Sequence, residues 1–257
     1  MLRNICLGVL TMRNRLCLAA LFLIPAFPAA ADESPSLPTA EEIVARMGIQ
    51  DLQRQVSIEG YTGMRRYVLD NQHFHKRAEM LVQVQGDPDG TKHFEVVSEE
   101  GWKAAHKHVL RKMLESESET SHPEARAKTR INPENYDFKM AGTDAIDGRT
   151  AYVLEVSPKR KEKYLFRGRI WVDAEDYALA RAEGQPAKNP SFWTKSTHFV
   201  QNYQKNGPLW FPRSTQSVTE AHIFGTTDVD IEYFDYAPKT VHASDNSVMS
   251  APEVSKQ

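Results

Sequence analysis

The residues that could carry out chemistry are scattered along this sequence and form no recognisable catalytic motif. A nucleophilic enzyme places a serine, cysteine or threonine beside a base. The sequence contains no G-x-S-x-G, H-E-x-x-H, C-x-x-C or glycine-rich phosphate loop. Scattered carboxylates could still meet in a cleft once the chain folds, so a hydrolase that uses them is kept as an alternative. We assign no catalytic residue, no cofactor and no metal ligand from the sequence.

Two groups of polar residues have a spacing that deserves a structural interpretation. His73 and His75 lie two apart, so on a strand they would share a face, but tetrahedral zinc needs three or four ligands and no third is visible nearby. Asp228, Asp230 and Glu232 alternate with apolar residues, which is typical of a solvated strand face. Both groups are therefore predicted to be surface residues.

The first 31 residues have the pattern of a secretory signal peptide. Three arginines precede the apolar residues 16–27, and alanines at positions 29 and 31 form an A-x-A cleavage site. We expect cleavage after Ala31, a mature chain that begins at Asp32, and a periplasmic location. Met12 could also be the true start in place of Met1, because the residues that follow it form a complete signal.

Charge and cysteine content restrict the function of the mature chain. Both cysteines, Cys6 and Cys17, lie within the predicted signal peptide, so no disulfide is expected. Removal of the signal peptide takes away three of the 32 basic residues and none of the 34 acidic residues. The mature chain then has a net charge of −5. A nucleic-acid surface needs a basic field, so no nucleic-acid partner is expected. The protein is expected to be a monomer.

Residues 166–184 predict a β-hairpin around which the rest of the chain is organised. Ile170 and Val172 alternate with polar or amphipathic residues, and the acidic residues 173–176 provide turn chemistry before a second strand. Similar alternating segments recur from residue 56 to residue 236. About ten strands without strand–helix alternation predict a mainly β, α+β fold, in which one curved antiparallel sheet forms a barrel or half-barrel.

The predicted domain limits follow from where this pattern begins and ends. Residues 32–38 are expected to be a flexible lead-in, residues 39–238 a single domain, and residues 239–257 a disordered tail.

Two helices are predicted to cover the concave face of the sheet. Thr39 and Glu42 form a capping box for a helix that ends near Gln55, with an apolar stripe that includes Met47 and Leu52. A second amphipathic helix is predicted over residues 102–117, followed by a mobile connection to residue 128. Its apolar face is predicted to contain Trp102, Ala105, Val109, Leu110, Met113 and Leu114.

Strand alternation also predicts which residues would line an apolar pocket on the concave face. The ten candidates are Val82, Val84, Phe94, Val96, Leu154, Val156, Ile170, Val172, Val229 and Ile231. The second half of the chain is rich in aromatic residues, most of which are predicted to be core. Any apolar surface that the helices leave uncovered would be a pocket for an apolar ligand.

Three phrases of the sequence resemble the periplasmic lipoprotein-sorting proteins related to the carrier LolA. They are RIWVDAEDYALAR at 169–181, GPLWFP at 207–212 and VDIEYFDY at 229–236, and the resemblance extends over residues 136–236. It implies an incomplete antiparallel barrel whose apolar concave face receives acyl chains of lipoproteins or lipids. It also implies a possible membrane-protein donor or acceptor, in a carrier or an envelope-sensing role.

Overall fold

One ten-stranded antiparallel sheet organises the protein. The computed structural model describes residues 37–189 and 191–240. The strand order is β3-β2-β1-β10-β9-β8-β7-β6-β5-β4, so every strand neighbours its predecessor in sequence except at β3–β4, and β1 pairs with β10. β3 and β4 are the two edges, and the sheet is not closed. The predicted half-barrel of ten strands with helices on its concave face is confirmed.

The element bounds place every connection at one of two ends of the strands. The strands are β1 (Ile58–Asn71), β2 (Lys76–Gly86), β3 (Lys92–Gly101), β4 (Tyr136–Ile146), β5 (Arg149–Pro158), β6 (Phe166–Asp173), β7 (Leu179–Pro186), β8 (Thr194–Asn206), β9 (Leu209–Ala221) and β10 (Gly225–Thr240). The helices are α1 (Ala40–Val56), α2 (Lys103–Ala105), a π-helical turn (His106–Leu110), α3 (Arg111–Ser121) and α4 (Pro123–Ala127).

The ends of the chain differ in part from the sequence prediction. The predicted signal peptide, the start at Asp32 and most of the lead-in lie outside the described residues, as do residues 241–257 of the predicted tail. Residues 239 and 240 are a correction, because Lys239 pairs with Gly60 and Thr240 with Ile58. β10 therefore continues past the predicted domain end, since β1 offers it a partner over its whole length.

The hairpin β6–β7 is held by an ion-paired turn. The Asp173 side chain is buried and accepts hydrogen bonds from Arg149 Nε at 2.6 Å and Arg149 Nη2 at 2.7 Å. It also accepts from the backbone N–H groups of Glu175 and Asp176. Burial opposes its ionisation, but these donors lower the pKa of Asp173. The predicted acidic turn is confirmed, and its carboxylates serve the fold.

We expect Asp173→Ala to lower the free energy of unfolding by about 2 kcal/mol, because it removes charge-assisted hydrogen bonds and leaves Arg149 without its buried partner. Urea denaturation measures the change. Glu175→Ala is the control: Glu175 is exposed in the same turn and pairs with the same arginine. Its effect should stay within about 0.5 kcal/mol, and equal losses in the two variants would contradict the assigned role of Asp173.

α1 begins with the predicted capping box. The Thr39 hydroxyl accepts from the Glu42 N–H, and the Glu42 carboxylate accepts from the Thr39 N–H. Ile43 and Val44 are buried in one core cluster, against which Met47 packs. Leu52 is a correction, because its side chain is 55% exposed. The apolar stripe of the helix therefore meets the core only along its N-terminal half.

The second helical cover, which we define as residues 103–121, is longer than predicted. Ala105, Leu110 and Leu114 are buried against the sheet, but Val109 is exposed. The π-helical turn inserts an i→i+5 hydrogen bond from the Arg111 N–H to the His106 carbonyl, which shifts the phase of the helix.

The segment predicted to be a mobile connection is helical, which corrects that prediction. α3 continues to Ser121 and α4 follows it. The Ser121 hydroxyl accepts a hydrogen bond from the Lys92 N–H at 2.9 Å, and the Ser118 hydroxyl donates to the Lys92 carbonyl at 3.1 Å. These contacts with the edge strand β3 are tertiary, so local sequence composition did not reveal them.

Candidate ligand-binding cavity

A cavity of about 510 Å³ lies on the concave face between the two helical covers. Its floor is largely apolar and comes from the strand ends around the turns that follow β6 and β8. The floor residues are Ile58, Tyr61, Ala178, Leu179, Tyr203, Leu209 and Trp210. The volume falls within the range of small-molecule sites.

The walls of this cavity carry more positive than negative charge. They come from the C-terminal end of α1, from α3 and from the segment that follows it. Four cations line the cavity, namely Arg54, Lys92, Arg126 and Arg130, together with two carboxylates, Asp51 and Glu117. Arg130 pairs with Asp51, and Arg54 donates to the Asp176 carbonyl. The balance favours an anionic group among the polar parts of a ligand.

One of the two carboxylates belongs to a buried ion cluster formed by Arg65, Lys92 and Glu117. Arg65 is 1% exposed and holds Glu117 through Nη1–Oε2 at 2.7 Å and Nη2–Oε1 at 3.2 Å. Lys92 Nζ lies 2.7 Å from Glu117 Oε1. The Arg65 guanidinium also packs over the rings of Phe94 and Tyr233 at 5.0 and 4.9 Å. Two cations therefore share one carboxylate beside the cavity.

The protonation states in this cluster follow from burial and charge. Burial would raise the pKa of Glu117, but Lys92 and Arg65 outweigh it and hold the pKa at about 2. Glu117 is therefore ionised at neutral pH. Burial raises the pKa of the Tyr203 and Tyr233 hydroxyls, so both remain neutral donors.

A second cavity of about 460 Å³ continues from the first along α1. It shares Asp51, Arg54, Arg130 and Leu179 with the first. Its other lining residues are Ala45, Met47, Gly48, Ile49, Leu52, Ile131, Asn132 and Tyr177. The exposed side chains of Ile49 and Leu52 therefore border a cavity, which accounts for an apolar surface that α1 does not bury in the core.

The ten residues predicted to line the pocket lie in the layer under the helices. Leu154, Val156, Ile170 and Val172 pack beneath α1 in one cluster. A second cluster under residues 103–121 contains Val82, Val229 and Ile231, with Phe94 and Val96 packed against it. Val84 is fully buried. Neither cavity, as lined by the described residues, includes any of the ten, so their role in binding stays a prediction.

The structure also places the other residues that the sequence analysis considered. His73 and His75 lie exposed in the β1–β2 turn. Among the described residues, no group of three or more His, Cys, Asp or Glu side chains could hold a metal ion. No helix in residues 37–189 or 191–240 is long and apolar enough to cross a membrane.

Sequence reasoning missed the ion cluster, although one signal was present. Gly63, Arg65, Tyr67 and Leu69 alternate along β1, and all four are buried, so Arg65 occupies an inward-facing position among apolar neighbours. A charge on an inward face requires a buried partner. That partner, Glu117, is 52 residues away, and no local pattern identifies it.

Comparisons with known proteins give matches at low similarity. A family model described as "Family of unknown function (DUF5686)" matches residues 132–236, which is less than half of the chain. No curated protein sequence matches.

Among the solved structures that match are three that each cover more than three quarters of the chain. A LolA superfamily protein, NE2245 from Nitrosomonas europaea, is 11% identical, with 78% of this chain and 93% of that chain covered and a TM-score of 0.39. A putative outer membrane lipoprotein-sorting protein domain from Vibrio parahaemolyticus is 14% identical, with 80% and 94% covered and a TM-score of 0.41. A DUF1329 family protein from Desulfovibrio piger is 12% identical, with 79% and 94% covered and a TM-score of 0.41. The family that the sequence resembles is thus among these matches, but identities and TM-scores this low transfer no ligand or partner.

Proposed function

We propose that this protein is an exported, non-enzymatic carrier or sensor that binds acyl chains of lipids or lipoproteins on the concave face of its half-barrel. The observation that supports the proposal is the 510 Å³ cavity, which has an apolar floor and cationic walls. An acyl chain would cover the floor, and an anionic head group would meet Arg54, Lys92, Arg126 or Arg130. The second cavity extends the available length along α1.

The energetics allow useful affinity. Burying an acyl chain gains about 0.8 kcal/mol per CH₂, so a chain of about 14 carbons offers on the order of 10 kcal/mol. If binding costs remove half of this, about 5 kcal/mol remains, which corresponds to a Kd on the order of 10⁻⁴ M. Ionic contacts with the head group would tighten binding further.

The cellular context of the proposal comes from the sequence. A signal peptide with cleavage after Ala31 would deliver the chain to the periplasm, where an acyl chain needs shelter from water. A membrane protein would then donate or accept the ligand, and outer-membrane lipoprotein sorting is the process that the family resemblance implies. Mass spectrometry of the exported protein should find Asp32 at the N-terminus.

The hydrolase alternative receives no specific support from the cavity. Its two carboxylates are ion-paired, Asp51 with Arg130 and Glu117 with both Arg65 and Lys92. A general acid for glycoside or ester hydrolysis needs a raised pKa, whereas the pKa of Glu117 is about 2.

Titration with a fluorescent fatty acid of about 14 carbons tests the proposal. We expect saturable binding that unlabelled fatty acid displaces and that weakens as the competitor chain shortens, at about 0.8 kcal/mol per CH₂. Mass spectrometry of the recovered ligand should show it intact. Absence of saturable binding, or no dependence on chain length, would contradict a carrier or sensor of acyl chains, and recovery of a cleaved ligand would favour the hydrolase.

A further inference from the structure

The strand connections at the two ends of the sheet differ in charge. At one end, the connections 72–75, 159–165, 187–189 with 191–193, and 222–224 contain five lysine or arginine residues and one carboxylate. At the other end, the connections 87–91, 147–148, 174–178 and 207–208 contain five carboxylates and no lysine or arginine. The first set also carries exposed aromatic residues, and we call it the basic aromatic rim.

The apolar residues of this rim are exposed at the tips of neighbouring connections. Phe192 is 88% exposed, and the others are at least one-third exposed. They are Phe74, Tyr164, Trp193, Ile223 and Phe224. Large apolar side chains gathered on one exposed surface mark an interaction site.

Direct contacts join three of the four connections into one surface. The Phe74 and Phe224 ring centroids lie 6.3 Å apart, and the Asn71 side chain donates to the Phe224 carbonyl at 2.8 Å. The His222 N–H donates to the Trp193 carbonyl at 3.0 Å. Phe192 packs on Trp193, with centroids 5.4 Å apart. The aromatic tips thus come from separate loops held side by side at the end of the sheet.

Four of the five basic residues occupy the fourth connection at the same end. Residues 159–163 read Lys-Arg-Lys-Glu-Lys. Lys159 and Arg160 are held by backbone carbonyls of Pro133 and Lys128, while Lys161 is exposed. Lys163 lies over the ring of exposed Tyr164 at 4.3 Å. The β5–β6 and β7–β8 connections are neighbours because β6 pairs with β7.

We propose that the basic aromatic rim docks the protein on an anionic lipid surface. Aromatic side chains on loop tips suit the membrane–water interface, where the ring is apolar and its surroundings are wet. Clustered lysines are attracted to anionic head groups. The connections at the opposite end contain no lysine or arginine, so among the strand connections those of the rim are the ones that an anionic surface attracts.

The rim is separate from the proposed ligand cavity. The first cavity is lined by Gly90, Lys92, Ala178 and Leu209, all at or next to the acidic connections. Docking through the rim would therefore leave that cavity at the far end of the strands. Failure of one proposal does not imply failure of the other, because vesicle binding and fatty-acid binding report on opposite ends of the sheet.

Co-sedimentation with phosphatidylcholine vesicles that contain about one-third phosphatidylglycerol tests the docking. We expect the full chain to bind these vesicles about tenfold or more tightly than pure phosphatidylcholine vesicles. Combining Phe192→Ser with Trp193→Ser should weaken binding about tenfold. Lys161→Glu with Lys163→Glu should do the same and remove most of the preference for phosphatidylglycerol.

Matched variants control for charge and apolarity. The double variant Lys112→Glu with Lys239→Glu makes the same charge change away from the rim. Val97→Ser removes an exposed apolar residue from β3. The double variant and the Val97 variant should each bind vesicles as the parent does. Residues 16–27 are apolar and are present in every variant. Their contribution to lipid binding is therefore the same in the parent, the rim variants and the control variants. Unchanged thermal unfolding would show that the rim variants fold.

Three results would overturn the proposal. The first is equal binding by rim and control variants, and the second is equal binding to the two vesicle types. The third is a concentration-dependent self-association in sedimentation velocity that the Phe192→Ser and Trp193→Ser pair abolishes without effect on vesicle binding. The rim would then be an interface between two copies of the chain.

Discussion

Glu117→Gln should destabilise the protein by about 3 kcal/mol, because it leaves the Arg65 guanidinium buried beside the cavity without its charged partner. The loss is at the lower end of the range for buried pairs, since the Glu117 side chain is 33% exposed. Typical domains have only about 5–15 kcal/mol in total, so a change of this size is readily measured. Urea denaturation gives the free energy of unfolding directly.

The matched control lies two residues away on the same helix. Glu115 is an exposed carboxylate whose ion pair among the described residues is with exposed Lys112, so Glu115→Gln should change the stability by less than about 0.5 kcal/mol. Combining Glu117→Leu with Arg65→Met should recover part of the loss, because the fully buried guanidinium is then removed and the cation that loses its partner, Lys92, is partly exposed. Equal effects at positions 115 and 117 would show that the cluster is no more than a surface ion pair.

The same carboxylate predicts an acid dependence. Its pKa is about 2 in the folded protein and about 4.3 when unfolded. A folded pKa below the unfolded value contributes stability above the unfolded pKa, and that stability is lost as the pH falls through the folded pKa. The parent protein and Glu117→Gln should therefore converge in stability between about pH 4.5 and pH 2. A difference that stays constant over this range would mean that the charge of Glu117 is not responsible.

Local patterns in the sequence were sufficient for α1 and for the strands of this fold. The capping box at Thr39 and the alternation around Ile170 predicted α1 and the β6–β7 hairpin, because both depend on neighbours within a few residues. The same alternation assigned Val82, Leu154 and Ile170 to the inner face correctly. It could not show what covers that face, since the helix positions depend on contacts distant in sequence.

For this reason, a substitution at one of the predicted lining residues changes the packing beneath the helices. Val172 has no exposed surface and packs beneath α1, so Val172→Trp would overpack a core at a cost of about 1–3 kcal/mol and would not report on a cavity. Val109 was misplaced because a π-helical turn cannot be read from apolar spacing. Trp193 and Phe224 belong to the minority of aromatic residues in the second half that are exposed, because they occupy connections.

Filling the cavity at Leu179 should have the largest effect on ligand binding. Leu179 is half-buried and lines both cavities, so a larger apolar side chain there would occupy space that the acyl chain needs. If Leu179→Trp displaces about three methylenes, it should cost about 2 kcal/mol, or about thirtyfold in Kd. The fluorescent fatty-acid titration measures this change while vesicle binding through the rim stays as in the parent.

Two companion variants make the outcome specific to the cavity. Leu179→Ala enlarges the cavity, so it should retain binding and tolerate a longer acyl chain, whereas Val97→Trp adds the same indole on β3 outside both cavities and should change nothing. Competition by shorter fatty acids provides the final discrimination, because a shortened cavity should still accept a chain that is a few methylenes shorter with nearly full affinity. If Leu179→Trp folds and binds every chain length as the parent does, the acyl chain binds elsewhere, and the ten core residues beneath the helices become the next positions to test.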